Sequence, residues 1–210
     1  MLLEACVENF TDIPEKLASG AQRVELCDNL AVGGTTPSYG VLKHSLAYSQ
    51  AHPLAIVAML RNRGGDFNYT SDDKAIMWTD LQMMADLGVR SIAVGALQGD
   101  DLDREFVSKI AAFCRAHDIE MVFHMAFDQI SYDKQFKTLD FLVDSGFARI
   151  LTHGGPSGSD ILANHNRLLE LIDYANNRIT IMPGGGIHRD NLQAIDQVIA
   201  AAEYHGSQIV

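Results

Sequence analysis

Arg23-Val24-Glu25-Leu26-Cys27-Asp28-Asn29-Leu30-Ala31-Val32-Gly33-Gly34-Thr35-Thr36-Pro37 reads as a short strand running into a glycine-rich loop. The acid-x-Cys spacing of Glu25 and Cys27 also occurs in the first apolar run, at Glu4-Ala5-Cys6. Successive side chains on a strand point to opposite faces, so Glu4 and Cys6 share one face and Glu25 and Cys27 share one face. Leu3, Ala5, Val7, Val24 and Leu26 take the other. If the two strands are parallel neighbours, two carboxylates and two thiols converge on one wall.

The two strands stand ~20 residues apart, with Ile13 to Ser19 as a helix between them, Asp12 as its N-cap and Gly20 as its stop. That is the pace of β-α-β, and the rest of the chain keeps it. Further strands are read at Leu54 to Arg61, Ser91 to Gly95, Glu120 to His124, Ala148 to Thr152, Ile179 to Met182 and Glu203 to His205. Helices are read from Ser38 to about Gln50, from Ser71 or Asp72 to Leu87, and over Asp103 to His117 and Asp133 to Ser145. The last two run from Ser159 to Ala175, after a Gly/Ser loop, and over Asn191 to Ala201. Ile76, Leu81, Met84 and Leu87 supply the apolar stripe of the third helix, and Gly88 its C-cap. Eight strands alternating with seven helices, with no residues left for a second domain, predict an α/β fold. Residues 1–210 form a single-domain TIM-type (β/α)8 barrel lacking a full final helix, in preference to a doubly wound open sheet. The missing helix leaves part of the outer face uncovered, which predicts a homodimer or higher homo-oligomer.

A chain of 210 residues, 47% hydrophobic and 20% charged, has the composition of a soluble globular protein. The net charge of -11 and the absence of any basic run exclude a nucleic-acid backbone as partner. No apolar run approaches a membrane span of about 20 residues, and the N-terminus has no signal-peptide pattern. Three scattered cysteines, Cys6, Cys27 and Cys114, fit a reducing compartment and form no CxxC knuckle. Together these predict a cytoplasmic protein.

Active sites of such barrels lie at the carboxyl ends of the strands. Those ends carry Cys6, Cys27, Arg61, His124, Thr152, the Pro183 to Gly186 turn and His205, whereas the opposite ends read as blander. Glu4 and Glu25, facing inward, must be paired, for instance with Arg61, or raised in pKa. His124 is either a satisfied core histidine or a general acid/base. Arg61 and Arg63, followed by Gly64 and Gly65, form a cationic loop suited to a carboxylate or phosphate. Gly184, Gly185 and Gly186, after strand seven, serve either a tight turn or a backbone anion cradle. His153 and His188 are loop residues near the same end, with weaker claims than His124 or His205.

Several segments together resemble the copper homeostasis protein CutC family. They are Glu4-Ala5-Cys6-Val7-Glu8, Arg23 to Cys27, Gly33 to Ser38, Arg61 to Phe67, Phe123-His124 with Ala126-Phe127-Asp128, Arg149 to Thr152, Met182 to Ile187, and Tyr204 to Ser207. They run in the family's order from residue 2 to about 207. The resemblance implies a cytosolic, oligomeric TIM-type barrel linked to copper tolerance or trafficking, with Cys6 and Cys27 as Cu(I) ligands. The family usually has Arg where this chain has Met125 and Pro where it has Asn62. Many relatives extend past the eighth strand, so the end at Val210 marks a short form or a truncation.

Two functions follow as expectations. In the first, Cys6 and Cys27, helped by Met59 or Met125, bind Cu(I); two thiolates suffice if their sulfurs lie within roughly 4 to 5 Å, about twice a metal–sulfur bond. In the second, the barrel mouth is an enzyme site for a small anionic, phosphorylated substrate. Glu25 and His124 move protons there, Glu4 orients, and Asp128 belongs to the same catalytic set. Arg61, Arg63, Thr152, His205 and the Gly184 to Gly186 turn hold the substrate. The ligand is therefore a copper ion or a small anion.

Overall fold

The computed structural model of the chain describes residues 1–156 and 158–210. Eight parallel strands form one sheet: β1 Leu2–Glu8, β2 Arg23–Cys27, β3 Ala55–Met59, β4 Ser91–Val94, β5 Glu120–Phe123, β6 Arg149–Thr152, β7 Thr180–Pro183 and β8 Glu203–Gly206. They pair in the order β8-β1-β2-β3-β4-β5-β6-β7. The two outermost strands, β7 and β8, adjoin. Above that seam, His188 bridges Gln208 and Arg189 N–H donates to the Gln208 carbonyl at 2.9 Å. The result is a nearly closed barrel, as the β-α-β rhythm predicts.

Among the described residues, seven α-helices connect the strands: α1 Ile13–Ala18, α2 Tyr39–Ala51, α3 Ser71–Leu87, α4 Arg104–Ala116, α5 Gln135–Asp144, α6 His165–Ala175 and α7 Arg189–Ile199. Strand parity sorts the core into two parts. Outward residues such as Ala5, Val24, Leu26, Ile56 and Ile92 pack under the helices. Inward residues, Val57, Met59, Ala93, Val122, Leu151 and Met182, fill the barrel around Cys27. Among the described residues no helix follows β8, and β8 and the tail partly fill the outer face there. Tyr204 is fully buried, its hydroxyl bonded to Asp196 at 2.9 Å, and Ile209 of the tail is buried too.

Local differences from the sequence reading have simple causes. Helix α3 is capped by Thr70 instead of Ser71 or Asp72, because Thr70 and Asp73 form a capping box. Of its predicted stripe, Leu81 and Met84 are buried and Leu87 packs against the core, while Ile76 is exposed and Met77 takes its place. Asp12 precedes α1 without a side-chain cap bond. After β4, Leu97–Gln98 and Asp101–Leu102 form a small antiparallel pair that carries no clear alternation in sequence. The last predicted turn before α6 becomes a 3-10 helix, Ile161–Asn164, and Ser157 of the Gly/Ser loop lies outside the described residues. Among the described residues, no helix is long and apolar enough to cross a membrane.

The amino-terminal end of the barrel is not bland. Arg23, Ser91, Glu120, Arg149 and Glu203 each open their strand and join in one network. Arg23 pairs with Glu4 and Glu203, Arg149 Nε lies 2.7 Å from Glu203, and Arg149 Nη1 pairs with Glu120. Ser91 Oγ donates to Glu120 at 3.4 Å, and Arg23 Nη2 reaches Met182 Sδ at 3.3 Å. The network touches every strand except β3, and its central pair, Arg23 and Glu4, is buried. Removing one partner of a buried ion pair leaves the other charge without compensation. Arg23→Met, which keeps the volume, is expected to lower unfolding stability by about 3 kcal/mol or more in urea denaturation.

Candidate functional site

Pairing of β1 with β2 sets Glu4 beside Arg23, Cys6 beside Glu25 and Glu8 beside Cys27. The two acid-x-Cys triplets are therefore parallel neighbours, as read from sequence, but staggered by one pleat repeat, as strand tilt in a barrel requires. The two cysteines are not at the same level. Their side chains still converge: the ligand atoms of Cys6, Glu25 and Cys27 all lie within 4.8 Å of one another. Glu25 Oε2 is the hub, 3.5 Å from Cys6 Sγ, 3.7 Å from Cys27 Sγ and 3.7 Å from His205 Nε2. His205 Nδ1 is 2.7 Å from Glu4 Oε1, and Glu4 is held in turn by Arg23.

This floor opens into a cavity of about 380 Å³ at the carboxyl ends of the strands. Cys6, Glu25, Arg61, His124, Gly185, Gly186 and His205 all line it. The other candidates stand behind or outside. Glu4 is buried beneath His205, and Cys27 is fully buried beside Glu25. Gly34 folds over that sulfur with φ +85°, and a Cβ there would stand 2.9 Å from Cys27 Sγ, so no side chain fits. Gly184 packs against Leu151 and His205, its N–H donating to Thr152 O at 3.0 Å.

Arg61 does not pair with Glu25. Its Nη1 donates to the carbonyls of Val32 (3.0 Å) and Gly34 (2.9 Å) and its Nη2 to Gly65 (2.8 Å), which stitches the two loops over the mouth. Arg63, half exposed, is bound to Asp73 at 3.1 Å and Asp66 at 3.2 Å, outside the cavity, so its charge is already spent on protein carboxylates. Asp128 and Thr152 are not brought into the cavity either. The Asp128 carboxylate accepts from Thr152 Oγ1, from His153 N–H at 2.9 Å and from Gly154 N–H at 3.2 Å, and so braces the loop after β6.

Burial and neighbouring charge set the protonation of the floor. Burial pushes Glu25 up to about 8, with the Cys6 and Glu4 charges adding to it and His205 opposing. Of the two alternatives open to this glutamate, ion pairing with Arg61 is excluded by the geometry. For Glu4, burial acts upward but the His205 bond and the His205 and Arg23 charges outweigh it, and its pKa is lowered. His205 is raised, because Glu25, Cys6 and Glu4 together overcome its burial. Cys6 is lowered by its bond with Cys27, against burial, and by His205; Cys27 is raised by the same bond and by burial. These shifts favour negative charge on Cys6 and positive charge on His205, and favour retention of the protons on Cys27 and Glu25.

His124 differs from His205. Burial and the Arg61 charge press it down to about 3, so it is neutral. Its Nδ1 accepts from Ala126 N–H at 3.2 Å, which leaves the ring proton on Nε2. Sequence reasoning missed Phe67, Ser207 and Gln208 as lining residues, and His188, read as a loop residue near this end, lines the cavity too. Ser207 and Gln208 stand directly past the end of β8, whereas Phe67 and His188 reach the cavity from the longer loops after β3 and β7. His188 was ranked too low because the closing bridge to Gln208 is a long-range contact.

Comparison with known proteins adds a lineage. The model of the CutC family matches residues 1–210. The family protein CutC of Enterococcus faecalis is 46% identical over 211 residues, covering all of both chains. The copper homeostasis protein cutC homolog of Mus musculus is 37% identical over 207 residues, covering 98% of this chain and 73% of its own length. The crystal structure of the CutC protein of Streptococcus agalactiae superposes with a TM-score of 0.94 at 40% identity, each chain fully covered.

Two measurements check the floor. Iodoacetamide at neutral pH is expected to modify Cys6 ahead of buried Cys27 and Cys114, and His205→Gln to slow that modification, as read by peptide mass spectrometry. Glu25 holds its proton more tightly folded than unfolded. Its contribution to stability is therefore complete below the ordinary value of 4.5 and is lost as pH rises through about 8. In urea unfolding across that window, Glu25→Gln should show a shallower decline of stability with pH than the parent protein.

Proposed function

Since the chain belongs to the CutC family of copper homeostasis proteins, we propose that it binds Cu(I) as cargo between Cys6 and Cys27 at the barrel mouth. One observation carries this reading: the two sulfurs and Glu25 lie within 4.8 Å of one another, inside the span that two-coordinate thiolate ligation needs. Soft thiolates favour Cu(I), and the donor set fits it. Cys6 carries thiolate character and faces the cavity, while Cys27 has a thiol proton to release. Glu25, touching both sulfurs, is placed to relay that proton toward the open cavity as metal enters, giving up its own proton as it accepts the thiol's.

Met59 and Met125 line the same cavity and add thioether sulfur to its wall, which suits a monovalent soft ion without changing the charge. Binding in a cytosolic, reducing setting keeps both thiols available. The test is anaerobic Cu(I) titration against a competing chelator. One tight equivalent is expected, weakened by about 100-fold or more in Cys6→Ala and in Cys27→Ala, since loss of a ligand costs no less than loss of its support. Unchanged affinity in the double variant overturns the assignment.

A further inference from the structure

Cu(I) held between two sulfurs leaves Glu25 and His205 without a role as ligands, although both line the cavity beside Cys6. On the upper walls, Arg61 Nε and His124 Nε2 are sealed from solvent and offer nothing to a guest there. His205 is different. It is 7% exposed, it borders the cavity, and its Nε2 makes no hydrogen bond among the described residues; the nearest polar neighbour is Glu25 Oε2 at 3.7 Å. Of the Glu25 carboxyl, Oε1 is sealed and Oε2 is the atom that meets its neighbours.

The other nitrogen of His205 is already committed. Its Nδ1 stands 2.7 Å from Glu4 Oε1, and Glu4 is clamped in turn by Arg23. A histidine that binds a metal through one nitrogen almost always gives the N–H of the other to a carboxylate, carbonyl or water, which fixes the ring and raises its basicity. Glu4 supplies that support here. In front of the ring, Glu25 Oε2 lies 3.7 Å from His205 Nε2 and 3.5 Å from Cys6 Sγ. In a zinc tetrahedron, with bonds of about 2.3 Å to sulfur and about 2.1 Å to nitrogen and oxygen, those two edges are about 3.4 Å and about 3.6 Å. Charge fits as well. A Cys6 thiolate and a Glu25 carboxylate balance a divalent ion, while the Glu4 charge is already met by Arg23.

We infer that the floor of the cavity binds a zinc ion on Cys6 Sγ, Glu25 Oε2 and His205 Nε2, with Glu4 orienting the histidine and the fourth position facing the cavity. Three protein ligands and one open position is the arrangement of catalytic zinc, whereas structural zinc is closed by four. Mixed thiolate, imidazole and carboxylate donors suit zinc, while calcium and magnesium take oxygen alone. As the ion enters, the protons of His205 Nε2 and Glu25 pass to water in the cavity, because ligands bind deprotonated. The zinc site shares Cys6 with the copper reading but does not rest on it. Cu(I) needs the buried Cys27, and zinc needs Glu25 and His205 in its place.

Titration of the reduced, metal-free protein with zinc against a chromophoric chelator tests it, beside a cobalt(II) titration followed by absorbance. One tight zinc equivalent is expected, and cobalt should show the intense visible bands of a four-coordinate ion together with a thiolate charge-transfer band in the near ultraviolet. Glu25→Gln and His205→Gln should each weaken zinc by about tenfold or more and leave Cu(I) affinity unchanged. Cys27→Ala should do the reverse. The cobalt spectrum is read on the parent protein, so a substitution that fails to fold leaves the test intact. Weak six-coordinate cobalt bands without charge transfer overturn the inference. So does zinc affinity unchanged in both Glu25→Gln and His205→Gln, the result that surface histidines would give, or an equal loss of zinc in Cys27→Ala. Absent zinc binding with Cu(I) binding intact sinks this inference alone, and the converse sinks only the copper reading.

Discussion

The buried pair of Arg23 and Glu4 is the interaction on which the rest of the barrel's interior depends. Arg23 belongs to the charged network at the amino-terminal end, through Glu203 and on to Arg149 and Glu120. Glu4 belongs to the floor of the cavity, through His205. One ion pair thus ties the closed end of the barrel to its open end. Without it, Glu4 would lose its main source of positive charge besides His205, and an imidazolium beside a thiolate would lose its anchor. The buried network also fixes register, because sliding β1 against β2 by one residue would turn Arg23 and Glu4 to opposite faces.

That arrangement divides the cavity by chemistry. Its floor is soft and anionic, built from two sulfurs and a carboxyl. Its walls are donors, from Arg61, His124 and the turn after β7. The two halves share a volume yet differ in chemistry, and Glu25 and His205 stand at the boundary between them. Gly34 and Arg61 hold the loops that frame this boundary, which is why so much of the mouth is built from residues that touch no ligand position themselves.

Much of this was legible in the chain. Strand rhythm and helix stops fix the barrel, and the paired acid-x-Cys triplets mark the floor, because period-two alternation states which side chains share a face. Register was not legible: the one-pleat stagger of Cys6 against Cys27 comes from strand tilt, a property of closure and not of any local pattern. Partner choice was equally hidden. Arg61 and Arg63 look alike in sequence, but one is folded into the cavity wall and the other is captured by Asp73, whose position is set by its capping box with Thr70. The charged ring escaped notice because five strands each contribute a single polar first residue, and only closure brings these together.

The stagger between the two cysteines also makes access one-sided. Cys6 borders the open cavity, whereas Cys27 lies one pleat further along, sealed beneath Gly34. The two sulfurs therefore differ in exposure: one faces the cavity and the other is covered. An outside thiol or electrophile meets the two cysteines unequally, with Cys6 the one within its reach. A symmetric pair of exposed thiols would offer no such distinction.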